Sequence, residues 1–248
     1  LLFFIIGFVA LLTFKILEDL HIYSYHPWWI QVGVPGFAGI CCLYSLLNYR
    51  YSDKRHYFIV IALFFAMVAE IINACDLSFG LLFFTITHIC LTIFHWKKSK
   101  KFGKFEIISM LIFIFLYILI VSLLEYYLFY NFEHFQPIGT PKVPPVTYVI
   151  VIPVYMFVLS LMAWRSICTF RQKHSGRIIV GSLLFYLCDI FILAELASPW
   201  WHNGNWELNF QDPPIYLLVL SWITYLPSLF LLSCIDQQIF INKKYKWF

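Results

Sequence analysis

Glu70 and Asp189 each lie within a long apolar run, LFFAMVAEIINA at 63–74 and LLFYLCDIFILA at 183–194, and neither run contains a Lys or Arg. An ionised carboxyl in such surroundings is costly unless it is paired. Each acid must therefore line a wet polar cavity or keep its proton. Two carboxyls of this kind suit acid–base chemistry, one delivering a proton while the other stabilises a cation or activates water. His88 lies in a third apolar run and Tyr155 and Tyr225 in two more; these three can orient water or a substrate hydroxyl. Each also has a plainer reading. A His in an apolar helix often only packs, Tyr is abundant at 16 residues, and protonated acids can simply bond helix to helix. Other chemistries lack their residues. There is no H-E-x-x-H, no pair of His at i and i+4 within a run, and no G-x-S-x-G. The pattern predicts chemistry without metal or cofactor.

The elements that must position these groups follow from composition. Of 248 residues, 62% are apolar, 21% aromatic and 12% charged, and the mean hydropathy is +0.80. A soluble domain carries about 25% charged residues, so a soluble, disordered or disulfide-framework chain is excluded. A membrane-crossing helix needs about 20 apolar residues. Runs broken by polar clusters predict eight, at about 1–17, 28–47, 57–74, 78–95, 105–128, 144–164, 177–196 and 214–235. None alternates with the period of a membrane β-barrel. The predicted fold is all-α, a polytopic membrane protein with eight transmembrane helices in one bundle and a single transmembrane domain over 1–248. The opening run, LLFFIIGFVALLTF, lacks a basic lead and a small-residue cleavage site, so it reads as a span rather than a signal peptide. The seven cysteines form no C-x-x-C pair and read as small buried hydrophobes.

Charge orients the bundle. Of the 17 basic residues, 15 fall in the 2–3, 4–5 and 6–7 loops, at their edges, or in the tail; Lys15 and Lys142 are left for the other side. This bias predicts a multi-pass protein with both termini cytoplasmic, in a bacterial inner membrane or the endoplasmic reticulum. It accounts for the net charge of +4 without any nucleic-acid surface. No Lys or Arg is expected inside a span, which leaves out a Schiff-base lysine or a voltage sensor. The opposite loop, SPWWHNGNWELNFQDPP at 198–214, has no Lys or Arg and reads as an interfacial cap, with a substrate-entry lid as the alternative. Counted from the cytoplasmic starts of their spans, Glu70 and Asp189 lie at equal depth, roughly 18–20 Å up at 1.5 Å per residue. The runs around them align at an offset of 119 residues, and Pro35 and Pro153 are 118 apart. A 4+4 repeat would give this, as would chance likeness between apolar helices.

At these same residues the chain resembles the YhhN family of lysoplasmalogenase-like membrane proteins. The stretches that carry the resemblance are YSYHPWW, AEIINACDLSFGLLFFTITH with Glu70, Gly80 and His88, PVYMFVLSLMAW with Tyr155 and Met162, and GSLLFYLCDIFI with Gly181, Phe185 and Asp189. They run in order over about residues 23–232. Three departures stand out. His26-Pro27 replaces the usual Lys-Pro, Ala69-Glu70 replaces the usual Gly-Asp, and Tyr225 is followed by Leu-Pro-Ser where the family often has a Gln a turn later.

The resemblance implies an eight-helix hydrolase that cleaves the vinyl-ether bond of lysoplasmalogen, a lysophospholipid held in the bilayer, to a fatty aldehyde and a glycerophospho-alcohol. Glu70 and Asp189 would be its acid/base pair, with His88, Tyr155 and Tyr225 orienting water or the glycerol hydroxyl. Vinyl ethers break by protonation at carbon, which suits a buried acid, and the ensuing cation suits a nearby carboxylate. Two alternatives use the same residues: an inactive lipid-binding or lipid-moving relative, and a proton-coupled transporter.

Overall fold

A computed structural model describes Val9 and residues 28–49, 54–73, 77–98, 103–135, 150–170, 176–197 and 215–234. Within these lie seven α-helices: α1 (Trp28–Tyr49), α2 (Tyr57–Asn73), α3 (Leu77–Lys98), α4 (Lys104–Phe135), α5 (Ile152–Cys168), α6 (Gly176–Ala197) and α7 (Ile215–Ser233). No strand occurs among the described residues. The run at 1–17, apart from helical Val9, and the Trp-rich loop at 198–214 lie outside the described residues. The five stretches Val32–Tyr49, Lys54–Asn73, Phe79–Lys98, Lys104–Leu123 and Gly176–Leu193 are long and apolar enough to cross a membrane; the apolar stretches of α5 and α7 are shorter.

Two boundaries differ from the sequence expectation. α4 extends to Phe135, because 128–135 contains neither Gly nor Pro to stop it. α5 ends later than expected, at Cys168, and has Pro153 in its first turn, where a proline costs no helical hydrogen bond. That shift moves Arg165 from an expected loop edge into the last turn of a helix, where it is 1% exposed. Arg165 still stands at the edge of the expected 6–7 loop, outside the interior of a span; its burial is what the sequence did not announce.

Packing follows a ring. α1 packs on α2, α2 on α3, α3 on α5, α5 on α6, α6 on α7, and α7 back on α1 and α2. α3 and α6 make little backbone contact, so side chains alone join them across the ring. The outer surface is apolar, with Leu47, Phe64, Ile71, Phe79 and Val180 exposed. The interior holds Ser45, His56, His88, His95, Arg165, Ser182 and Asp189, all buried. Apolar outside and polar inside is the arrangement a bilayer selects, since lipid solvates the apolar face and polar groups must find partners within. α4 stands outside the ring against α5, and no residue from Lys104 to Leu123 is buried. It is held by Tyr117 donating to the Pro153 carbonyl at 3.1 Å and by the Trp164 indole donating to Ser109 Oγ at 3.0 Å.

Candidate active site

The five residues singled out by type come from five different helices of the ring: Glu70 from α2, His88 from α3, Tyr155 from α5, Asp189 from α6 and Tyr225 from α7. They meet in its interior. His88 Nε2 lies 3.1 Å from Asp189 Oδ2 and 3.1 Å from the Tyr155 hydroxyl. The Tyr155 hydroxyl also interacts with Asp189, so imidazole and phenol converge on one carboxyl. On the other side the Tyr225 phenol faces Glu70, and the carboxyls of Glu70 and Asp189 lie within electrostatic reach of each other. His88, Tyr155, Asp189 and Tyr225 are buried; Glu70 alone keeps partial exposure.

Local sequence explains the aim of these groups. Asp189 follows Phe185 by one helical turn, so both project on one face of α6. The Phe185 ring packs edge-on to His88 with centroids 4.9 Å apart and to Tyr225 at 5.4 Å. Phe84, one turn before His88 on α3, closes the same wall against Phe185 and Tyr225. These rings form an apolar wall that packs against the imidazole and the phenol. Thr92 donates to the His88 carbonyl at 2.7 Å, which ties that turn of α3. Behind Glu70, the fully buried Ala69 lets α2 approach its neighbours closely.

Three buried polar atoms of the site have no hydrogen bond of good geometry among the described residues: His88 Nδ1, Asp189 Oδ2 and Tyr225 Oη. Buried polar atoms are nearly always satisfied; Asp189 Oδ2 has the His88 imidazole 3.1 Å away and Tyr225 has Glu70 beside it, which leaves His88 Nδ1 as the atom of this group with no described neighbour to meet it. The described residues gather no group of three or more His, Cys, Asp or Glu able to hold a metal ion.

A second polar pair escaped the sequence reading. His95 Nε2 lies 2.9 Å from Ser182 Oγ, again bridging α3 and α6. The signal was there: His95 follows His88 by seven residues and Ser182 precedes Asp189 by seven, which puts each pair on one face of its helix two turns apart. Phe84 was also missed, because in a chain with 27 Phe no single ring stands out.

Compared with known proteins, residues 31–231 match the model of the YhhN family. No curated protein matches, and no solved structure matches.

Proposed function

The chain belongs to the YhhN family, and from that membership and the carboxyl pair we propose that it is an intramembrane hydrolase of the vinyl-ether bond of lysoplasmalogen. The observation that carries the proposal is the unequal setting of the two acids. Asp189 has an imidazole 3.1 Å away and a phenol hydroxyl beside it. Among the described residues, Glu70 has the Tyr225 phenol and the second carboxyl acting on it. Asp189 is therefore assigned as the carboxylate and Glu70 as the acid.

Glu70 gives its proton to the outer carbon of the C=C–O unit, leaving an oxocarbenium ion. Asp189 stabilises that cation, and with His88 it takes a proton from the water that adds to the ether-bearing carbon. The hemiacetal then collapses to aldehyde and glycerol hydroxyl, and the proton returns to Glu70. Tyr155 holds His88 and Asp189 in register, and Tyr225 orients Glu70. An ester would instead need a nucleophile and an oxyanion hole.

The test is purified protein given matched 1-alkenyl and 1-acyl lysophospholipids. Aldehyde should appear from the first, more slowly in heavy water, and the ester should survive. Equal cleavage of the ester refutes the assignment. A non-catalytic lipid-binding reading is motivated by Glu70, which stands one methylene further out than the Asp that the family resemblance implies at that position. Lipid binding without aldehyde release by the wild type, regained in Ala69→Gly/Glu70→Asp, would establish it.

A further inference from the structure

The proposed chemistry uses one of the two polar bridges between α3 and α6 and leaves the other, His95 to Ser182, without a role. Both residues are fully buried, and His95 Nε2 lies 2.9 Å from Ser182 Oγ. Ser182 is unlike most hydroxyls of the bundle. Thr85, Thr92, Thr224 and Ser228 each donate to a carbonyl of their own helix three or four residues back, the ordinary choice for a hydroxyl inside a helix. Ser182 instead spends its hydroxyl across the ring on His95, its one hydrogen-bond partner among the described residues. The two bridges are in register. His88 meets Asp189 and, seven residues later, His95 meets Ser182, seven residues earlier than Asp189, so the helices run antiparallel with bonds about 10 Å apart along their axes. Little backbone contact joins α3 to α6.

We propose that His95 and Ser182 are a positioning pair for the site, fixing the slide and rotation of α6 against α3 and so holding Asp189 at His88 Nε2. Two helices joined at one hydrogen bond can pivot about it, and a second bond two turns away stops the pivot. The contact between the bridges is Phe185 on the His88 ring, with centroids 4.9 Å apart. Apolar contact is non-directional and tolerates sliding, whereas a hydrogen bond weakens steeply as its angle opens. Interhelical hydrogen bonds add little stability in a bilayer, and an apolar pair at these positions would avoid the cost of burying an imidazole and a hydroxyl. What the polar pair supplies is direction. Reacting groups displaced by about 1 Å can lose about 10²-fold in rate, so a brace of this kind acts on turnover more than on folding. The kinetic part of the inference rests on the hydrolase reading, and its geometric part does not.

The test uses the purified full chain in lipid bilayers with its eight histidines labelled with 15N, the His88 ring signals being assigned by their loss in His88→Gln. In Ser182→Ala the His88 signals should move, since its contact with Asp189 is no longer held. Aldehyde release from 1-alkenyl lysophospholipid should fall in kcat by about tenfold to a hundredfold, with KM near that of the wild type. Ser182→Thr keeps the hydroxyl and should retain the wild-type His88 signals and most of the rate. Unmoved His88 signals in Ser182→Ala overturn the proposal. So does a Ser182→Ala protein whose melting point falls while turnover per folded molecule is unchanged, because the pair would then only pack. A raised KM at unchanged kcat overturns it as well. Should Ser182→Ala not fold, His95→Gln, whose amide reaches as far as Nε2, is set against His95→Leu. Equal rates and equal His88 signals in those two proteins overturn it. A wild type that releases no aldehyde refutes the hydrolase, and the His88 signals alone then decide whether the pair holds His88 against Asp189.

Discussion

Asp189 and Glu70 carry the same functional group, and their neighbours separate them. Loss of a positioned acid or base typically lowers a rate by about 10²–10⁴-fold, so Glu70→Gln and Asp189→Asn should each reduce aldehyde release by that order. Both changes nearly keep shape and should leave the melting transition in place. Because the two carboxyls act on each other, the double variant should lose less than the two single losses multiplied together; strictly independent losses in single-turnover assays would separate the acids mechanistically. Phe185 touches His88, Phe84 and Tyr225 and is fully buried. Phe185→Ala should cost about 3–5 kcal/mol, the range for emptying a buried aromatic site. Denaturant unfolding in detergent would read it, and a loss below about 1 kcal/mol would show that the wall can collapse around the gap.

At the scale of elements, α2 and α3 set the position of Glu70 against His88, and Gly80 governs their approach. A Cβ there would meet Asn73 Oδ1 at 2.8 Å, its Cβ at 2.9 Å and its backbone Cα at 3.0 Å. Backbone cannot swing aside, so Gly80→Ala must part the two helices. Overpacking of this kind costs about 1–3 kcal/mol, and because Glu70 lies one turn before Asn73 the variant should also lose activity. Gly36 is the control, since a Cβ there meets nothing within 4 Å. Gly36→Ala should leave the melting point unchanged or raise it slightly, through the better helix propensity of Ala. A Gly80→Ala protein as stable and active as Gly36→Ala would contradict this account of the α2–α3 contact.

On the scale of the whole molecule, the ring arrangement lets five helices each supply one site residue. The charge bias of the sequence predicts that the basic loops share one side, so positions 100 and 205 should lie across the membrane from each other. Lys100→Cys and Asn205→Cys, each in a background lacking reactive cysteine, should label with an impermeant maleimide from opposite faces of sealed vesicles. Labelling of both from one face would sink the proposed topology.

How much of this could be read from the sequence depends on the kind of information involved. Hydropathy runs are local, and a bilayer imposes one rule on every span, so the described helices α1, α2, α3, α6 and α7 lie within three residues of their expected bounds. The acids stood out because a carboxyl in an apolar run breaks that rule. The ordered motifs pointed to the family whose model matches 31–231. The partners could not be read this way. His88 stands 101 residues from Asp189, and no local rule says that α3 and α6 face each other across a ring while α4 stands outside it. The burial of Arg165 was not legible for a related reason. Its burial depends on where α5 ends and on Trp96 from α3 being there to stack against it. Helix existence is a property of the chain's own residues, whereas the pairing of charges inside the bundle belongs to the way the helices pack, and only the tertiary structure decides it.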